Sequence, residues 1–273
     1  MLQHARSEMK LVVLGSGTAN PHPRRSSPAF WLEVGAQKVM LDFGASALHR
    51  LSQEGLDWPN LDAVWISHFH LDHCCGLPAY LFATRHSPDT RDRKKPLRLI
   101  GGPGFRRLID RFDQVNNYKL LEQPFPVEIV EVEPLERFSI LPGVEAIAMS
   151  TPHNDESMAI RFEDEKGTVL VYTSDTGFGK EAAAFAREVD LFIIESSFFR
   201  DKKTDIHLEL AEAIYLIRKA RPRRAMLTHF YAEWDGVDFA SEVVRLEPKC
   251  EVIEAVDGLV LNFAKETLED ATT

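Results

Sequence analysis

The chain has 273 residues, of which 44% are hydrophobic and 27% charged, and its formal net charge at pH 7 is -10. That length can bury a substantial core as one large α/β domain or two small ones, and no segment has the composition of a linker, so we expect a single domain over residues 1–273. The acidic balance argues against a protein that holds nucleic acid through its overall field, because phosphate neutralisation needs clustered Lys and Arg.

The cysteines and the apolar segments indicate in which cellular compartment the protein is expected. Cys74, Cys75 and Cys250 are an odd number without a Cys-x-x-Cys pattern, which argues against a disulfide framework. The first ten residues lack an apolar signal core, and no stretch approaches the roughly twenty apolar residues of a membrane span. We therefore expect a cytoplasmic protein that makes no contact with a membrane.

In chain order, apolar β-rich runs alternate with helical patterns. In the first half, strands are predicted at residues 11–14, 29–34, 39–42, 64–67 and 97–100, and helices at 45–51, 77–83 and 104–112. In the second half, strands are predicted at 127–132, 138–141, 144–149, 158–163, 169–173, 191–194, 225–227, 251–253 and 259–261, and a helix at 207–219. Because the strands occur both in antiparallel meanders and in βα units, the pattern favours a layered α/β body with mixed sheets.

The run His68-Phe-His-Leu-Asp-His73 is the strongest chemical signal, since four metal-binding side chains lie within six positions after an apolar strand. A single histidine is more often a partly buried polar residue than a ligand. Here the density argues for an ion, because so many unpaired groups in one loop would desolvate and repel one another. In an extended segment His68 and His70 point the same way, and a turn at Leu71 would bring Asp72 and His73 from another side, so that one loop could serve two ions.

Three further candidate ligands each follow an apolar strand. They are His153, Asp175 and His229. Loops at strand ends are where α/β folds commonly place their chemistry, because rigid strands position the side chains that follow them. Taken together, the four strand ends predict one shared metal site.

At these residues the sequence resembles the metallo-β-lactamase superfamily, and within it most closely the ribonuclease Z branch. The residues that match the family's ligand positions are His68, His70, Asp72, His73, His153, Asp175 and His229. Asp42 matches an early aspartate that supports the metal loop. The resemblance implies a four-layered αββα sandwich with two mixed sheets, holding two divalent metal ions, with zinc expected and manganese or iron as alternatives.

The resemblance also implies how the ligands are shared. One ion would take His68, His70 and His153, the other Asp72, His73 and His229, with Asp175 bridging them. A hydroxide between the ions would then attack the phosphorus of a phosphodiester.

Two features match the ribonuclease Z branch in particular. Glu195 and His207 look like its glutamate and histidine pair, and residues 21–27, which include His22, Arg24 and Arg25, resemble its basic loop. Without the resemblance, Glu195 and His207 would read equally well as residues at a turn or a helix N-terminus. With it, the candidate catalytic residues are Asp72, Glu195 and His207, and His207 stabilises charge or protonates the leaving oxygen.

The substrate is less sharply defined. Ribonuclease Z proteins that trim transfer-RNA precursors commonly carry a long basic arm between the positions of His153 and Asp175, whereas this chain has only residues 154–174 there, read as two strands around the turn 163–167. A smaller cyclic or nucleotide-derived phosphodiester is therefore as well supported as RNA. The basic runs at 91–95, 200–203 and 218–224 are read first as solvated faces. A homodimer is compatible with the resemblance.

Two other activities of the same fold stay open. An acyl hydrolase acting on a lactone, β-lactam or thiolester would use the same metal-bound hydroxide, and only Glu195 with His207 argues against it. A mononuclear-iron oxidoreductase would need only part of the ligand set, and the complete second site, Asp72, His73 and His229, argues against that.

Overall fold

The computed structural model describes residues 9–264, and its strands form two seven-stranded mixed sheets that pack against each other. The first sheet has the order β14-β1-β2-β3-β4-β5-β6, and the second β13-β12-β11-β10-β9-β8-β7. The strands are β1 Met9–Gly15, β2 Ala29–Val34, β3 Gln37–Leu41, β4 Ala63–Ile66, β5 Leu97–Gly101, β6 Val127–Glu131, β7 Arg137–Leu141, β8 Val144–Ser150, β9 Met158–Asp164, β10 Val169–Tyr172, β11 Leu191–Glu195, β12 Arg224–Thr228, β13 Glu251–Glu254 and β14 Val260–Phe263.

Helices cover the outer face of each sheet. The α-helices are α1 Ala47–Gln53, α2 Leu71–Cys74, α3 Gly76–His86, α4 Phe105–Gln114, α5 Lys180–Phe185, α6 Leu210–Ala220 and α7 Phe239–Arg245. Short 3-10 turns lie at Trp58–Asn60, Pro88–Thr90, Val115–Asn117 and Ala232–Trp234. The layers therefore follow the order helix, sheet, sheet, helix, which confirms the predicted sandwich.

The alternation of side chains in β1 shows how one strand serves two cores. Leu11 and Val13 belong to the larger apolar cluster, which fills the space between the sheets, while Val12 and Leu14 belong to the cluster under α1, α3 and α4. Because both faces of the strand are buried, its sequence is a nearly continuous apolar run.

Parallel pairing sets the position of the candidate site. Strands β3 to β6 are parallel to one another, and so are β10 to β13. The carboxyl ends of β4, β10 and β12 carry the loops with the candidate ligands, as α/β sheets often do.

Most predicted elements differ from the observed ones by one to three residues at their ends, and three differences bear on the site or on the set of elements. Helix α6 begins at Leu210 rather than at residue 207, because Glu209 caps it and Glu212 completes the capping box. Helices α5 and α7, six and seven residues long, are absent from the predicted set. The turn expected at Leu71 is the single helical turn α2.

Across residues 9–264, no helix combines the length and apolar character that crossing a bilayer would require.

Candidate metal centre

All seven candidate ligands meet in one place, at the ends of four strands drawn from both sheets. The first group of converging side chains consists of His68, His70, His153 and Asp175. The second consists of Asp72, His73 and His229. Within each group the nearest ligand atoms all lie within 4.8 Å of one another, so each group has the dimensions of an ion site.

In the first group the atoms are spaced as ligands of one ion would be. The Nε2 atom of His153 lies 3.1 Å from Nδ1 of His70 and 3.7 Å from Oδ2 of Asp175. Nε2 of His68 lies 3.8 Å from the same carboxylate oxygen. Two nitrogens bound to a tetrahedral zinc at about 2.0–2.1 Å lie roughly 3.3 Å apart, so only small adjustments are needed.

The second group uses the other oxygen of the same carboxylate. Oδ1 of Asp175 lies 3.3 Å from Nε2 of His73 and 3.2 Å from Nε2 of His229. Each of these imidazole nitrogens also lies 3.6 Å from Oδ2 of Asp72. Asp175 therefore presents one oxygen to each group.

Several of these atoms are buried and lack a hydrogen-bond partner among residues 9–264. They are Nε2 of His68, His73 and His229 and Oδ1 of Asp175. A buried polar atom without a partner is costly, and four of them facing one small volume is a cost that divalent cations would relieve. The donor set, imidazoles and carboxylates, is the one that zinc and similar ions take. The residues present therefore fit the metal ions that the sequence predicts.

Outward hydrogen bonds orient the imidazoles. Nδ1 of His73 donates to Asp42 at 2.7 Å, and Nδ1 of His153 donates to the carbonyl of Ile206 at 2.9 Å. The Ser197 hydroxyl donates to Glu195 and so accepts from Nδ1 of His229 at 2.8 Å. With Nδ1 protonated and held, the Nε2 lone pair of each ring faces the centre, as in carboxylate–histidine–metal sites.

Asp42 holds the metal loop from behind. Its fully buried carboxylate accepts hydrogen bonds from His73, from the Ser67 backbone at 2.8 Å, from the Ser67 hydroxyl at 2.9 Å and from the Tyr172 hydroxyl at 2.7 Å.

Three residues of the site have positive backbone φ angles. The φ of Asp42 is +58°, and those of Ser174 and His229 are +54° and +63°. Such values are uncommon for non-glycine residues and cluster at functional sites.

Two glycines let the metal loop approach the chain around Asp42 closely. A Cβ added at Gly44 would lie 2.6 Å from the carbonyl oxygen of Asp72, and one at Gly76 would lie 2.3 Å from the carbonyl oxygen of Gly44. Neither distance is tolerated by ordinary atoms, so larger residues at these positions would push α2 away from the centre.

The charges of the centre shift its protonation equilibria. Burial alone would raise the pKa of Asp175, but the imidazoles of His229 and His73 outweigh it and hold that pKa well below its usual range. Burial, together with the neighbouring His73, lowers the pKa of His68 well below its usual value. An ionised carboxylate and a neutral imidazole are the forms that bind metal.

Glu195 and His207 lie beside the second ligand group as a hydrogen-bonded pair. Nδ1 of His207 donates to Oε1 of Glu195 at 2.8 Å. The fully buried Glu195 also accepts from the backbone amides of Thr176 at 2.7 Å and Leu208 at 3.1 Å. His207 also forms a third group of potential ligand atoms with Asp175 and His229, all within 4.8 Å of one another.

An aromatic wall, defined as Phe198 and Tyr231, borders this side of the centre. The two rings lie 5.1 Å apart at 31°, and the Tyr231 ring lies 6.3 Å from those of His207 and His229. Both residues are half-buried, so each keeps an accessible surface next to the pair.

The basic loop at residues 21–27 is tied down at its charged groups. Asp235 accepts from His22 at 2.8 Å, Arg25 at 2.8 Å and Arg24 at 3.1 Å. The guanidinium of Arg25 also lies 5.7 Å from the ring centroid of Phe230, the residue after His229, so the loop packs beside the strand end that carries this candidate ligand.

The supporting hydroxyls were not identified from sequence. Ser67, Ser174 and Ser197 each lie one or two residues past a strand end and next to, or two residues from, a residue of the centre. That position is the only signal the sequence offers, and serine after a strand is too common to single them out.

The chain is similar in sequence and in fold to several known proteins. A model described as the beta-lactamase superfamily domain matches residues 39–230. Ribonuclease Z of Borrelia duttonii (strain Ly) is 22% identical, over 93% of this chain and 97% of that protein. The metallo-beta-lactamase fold protein YhfI from Bacillus subtilis superimposes with a TM-score of 0.79 at 21% identity, covering 94% of this chain and all of that one (100%). A diphosphatase from the PhnP family superimposes with a TM-score of 0.72 at 21% identity, covering 93% and 98%.

Proposed function

The chain belongs to the metallo-β-lactamase superfamily, close to ribonuclease Z, and from that premise we propose that this metal-dependent hydrolase is a dinuclear phosphodiesterase. The observation that carries the proposal is Asp175, whose two oxygens face two separate groups of imidazoles at 3.2 to 3.8 Å. A single carboxylate placed in this way suits a pair of ions better than one.

In this proposal the ligands divide as the family resemblance implies. His68, His70 and His153 would hold one ion, and Asp72, His73 and His229 the other, with Asp175 shared. When bound, two such ions, for which zinc is the first candidate, lower the pKa of water and stabilise negative charge on phosphoryl oxygens.

His207 supplies the proton chemistry in this proposal. Burial alone would lower the pKa of His207, but the hydrogen bond and the charge of Glu195 outweigh it and raise that pKa above the ordinary histidine value. A histidine that keeps its second proton near neutral pH can donate from Nε2 to the leaving oxygen. Glu195 is a positioning residue, because it fixes the ring through Nδ1 and does not reach the substrate itself.

The Glu195–His207 pair favours phosphorus over carbonyl chemistry because it resembles the glutamate and histidine pair of the ribonuclease Z branch. In this proposal the pair delivers a proton to the alkoxide that a phosphodiester releases; a lactone also releases an alkoxide, so the resemblance and not the proton need makes the distinction. The relative that is named a ribonuclease and the structure that is named a diphosphatase both act on phosphorus compounds.

The substrate class in this proposal is a nucleotide phosphodiester. The aromatic wall of Phe198 and Tyr231 is placed to stack on a base beside the leaving group. Between His153 and Asp175 the chain forms only the hairpin of β9 and β10, without an arm. The substrate is therefore an RNA bound without an arm or a smaller nucleotide diester.

The test of His207 compares two leaving groups. In His207→Ala, hydrolysis of a diester with an alkoxide leaving group should fall by about 10²–10⁴-fold, because general acid catalysis contributes that much. Hydrolysis of bis(p-nitrophenyl) phosphate should fall far less, since nitrophenolate leaves without a proton. Equal losses on both diesters, with metal content unchanged, would show that His207 does not protonate the leaving oxygen.

A substrate panel tests the reaction class. Purified protein is assayed on a 3′-extended transfer-RNA precursor, a cyclic nucleotide, bis(p-nitrophenyl) phosphate and a lactone, and its metal content is measured. Turnover of a diester with about two divalent ions per chain supports the proposal. Turnover of the lactone alone, or one iron per chain with redox colour, contradicts it.

A further inference from the structure

The outer surface of α5 and α6 carries a cluster of cations. We define the α5–α6 basic face as Lys180, Arg187, Arg218, Lys219 and Arg221. These residues line an open cavity of about 590 Å³ together with Tyr215, Leu216 and two alanines, and no carboxylate lines it. In a chain with a net charge of -10, such a concentration of positive charge is unusual.

Part of this charge is available to a ligand. Arg221 pairs with Glu188 at 2.7 Å, and Arg187 lies 3.6 Å from the same carboxylate. Lys180 and Lys219 are exposed and have no carboxylate partner in the region from 9 to 264 that the structure describes. The ammonium group of Lys219 lies 5.5 Å from the centroid of the Tyr215 ring, so it is held along the face.

Two exposed aromatic rings connect the face with the metal centre. Tyr215 is 38% exposed and Phe178 is 41% exposed, and their ring centroids lie 5.7 Å apart. Phe178 follows Asp175 by three residues, and a Cβ at Gly177 would lie 2.8 Å from the carbonyl oxygen of Pro152, which precedes His153. The rings therefore lie between the ligand loops and the cations.

The direction of α6 extends this connection. The helix begins three residues after His207 and ends at Ala220, so the path from its start to Arg221 is about 16 Å at 1.5 Å per residue. This length accommodates several successive phosphates of one strand. The cations flank a track that begins at the centre and leads away from it.

We propose that the α5–α6 basic face binds a single-stranded RNA segment flanking the scissile phosphodiester. Lys180 and Lys219 contact phosphates, and Phe178 and Tyr215 stack on bases, which is how proteins hold single strands without reading sequence. The proposal rests on the proposed function and narrows it, since a track of this length serves a polynucleotide and not a small cyclic diester. It also gives the chain a place to hold RNA in the absence of an arm.

The experiment measures binding, because binding is independent of turnover. A fluorescein-labelled single-stranded oligoribonucleotide is titrated with the purified protein at several salt concentrations, and its anisotropy gives Kd. A denaturing gel checks that the oligomer stays intact. The double variant Lys180→Gln with Lys219→Gln should weaken binding by about tenfold and flatten the slope of log Kd against log salt by about 1.4, or about 0.7 for each phosphate that the protein no longer neutralises.

A second double variant, Phe178→Ala with Tyr215→Ala, tests the two exposed aromatic rings. Removing the stacking at two bases should weaken binding by at least about thirtyfold, since each stacked base contributes about 1 kcal/mol or more, with the salt slope unchanged. Melting temperatures of all variants show whether the fold is retained. Because every replaced side chain is exposed, we expect the fold to be retained.

The matched control removes equal charge at the other end of the first sheet. Arg91 and Lys94 are exposed and precede β5, whereas the centre follows the carboxyl end of the parallel β4. Arg91→Gln with Lys94→Gln should leave Kd, the salt slope and diester turnover unchanged. An equal weakening in this control would show that only overall charge matters and would overturn the proposal.

A rival cation cluster tests the choice of face. Arg106, Arg107 and Arg111 line another open cavity, next to Glu131 and Asp110. We call the double variant Lys180→Gln with Lys219→Gln the α5–α6 variant. If Arg107→Gln with Arg111→Gln weakened RNA binding while the α5–α6 variant did not, the proposal would be wrong. The proposal would also be refuted if the unaltered protein bound anionic phosphatidylserine vesicles but no RNA, and if the α5–α6 variant lost the vesicle binding.

Failure of this proposal can be told from failure of the proposed function. RNA bound through the α5–α6 basic face by a protein that hydrolyses no diester would refute the phosphodiesterase assignment alone. Turnover of bis(p-nitrophenyl) phosphate, with RNA binding insensitive to the α5–α6 variant, would refute the binding face alone.

Discussion

Nδ1 of His73 donates to the carboxylate of Asp42 across 2.7 Å, and neither side chain has any exposed surface. The hydrogen bond fixes which nitrogen of His73 is protonated and aims the other at Asp175, 3.3 Å away. Asp42 touches no proposed ion, yet it sets the geometry of the second ligand group.

Replacement of Asp42 by Asn should therefore weaken metal binding. An amide keeps the size of the side chain but loses its charge, and such changes behind a ligand histidine typically cost 10- to 100-fold in metal affinity or activity. Competition with a chromogenic chelator measures the affinity. Asp92→Asn, at an exposed position, is the control, and an unchanged zinc affinity in Asp42→Asn would contradict the orienting role.

The convergence of the candidate ligands could be predicted from sequence because each one follows an apolar strand or lies within one short run. His153, Asp175 and His229 are far apart in the chain, but parallel and antiparallel strands bring their ends to one edge. The start of α6 could not be placed, since His207 and Leu208 are drawn out of the helix by hydrogen bonds to Glu195. Those contacts are tertiary and leave no local pattern.

The unusual backbone conformations around the candidate site could not be predicted from the sequence either. The positive φ values of Asp42, Ser174 and His229 exist because surrounding contacts impose them, and residue type does not announce them. Helix α5 is too short to show a periodic apolar face, so its six residues read as a loop.

Gly76→Ala should destabilise the metal loop. The added methyl would lie 2.3 Å from the carbonyl oxygen of Gly44, and relieving that overlap typically costs about 1–3 kcal/mol. Thermal unfolding should show a lower melting temperature, and metal content should fall with it. Gly55→Ala is not a fair control because its φ is positive, so Ala79→Gly in α3, which costs about 1 kcal/mol by helix propensity alone, is used instead. A melting temperature of Gly76→Ala at or above that of the unaltered protein would contradict the close approach.

Removal of metal should lower stability. An ion at 100 times its Kd stabilises the folded state by about 2.7 kcal/mol, which for a domain of this size is roughly 5–10 °C in melting temperature. Calorimetry before and after dialysis against a chelator, followed by addition of zinc, measures the shift. Asp175→Ala should show a much smaller response to zinc, and an equal response would place the ions elsewhere.

Cys250 should react slowly at neutral pH. Burial and, to a smaller extent, the charge of the neighbouring Glu251 together raise the pKa of its thiol to about 11, so the thiolate that attacks an alkylating agent is scarce. At pH 7.5 iodoacetamide should label Cys250 roughly a hundredfold more slowly than free cysteine, with the rate rising about tenfold per pH unit toward pH 11. Mass spectrometry of the labelled peptide follows the reaction.

Two results bear on the cause of the slow labelling. Glu251→Gln should accelerate labelling modestly, because one source of negative charge is gone while burial remains. Labelling that levels off near pH 8.5 in the folded protein would show an ordinary thiol and contradict the raised pKa.

The centre draws its ligands from both halves of the chain, with the first at residue 68 and the last at residue 229. During synthesis the early histidines leave the ribosome long before their partners exist. A nascent polypeptide shorter than 229 residues lacks a complete second group, so the candidate metal centre cannot assemble before His229 has been synthesised. Convergence of the candidate ligands therefore requires strands of both sheets to have formed.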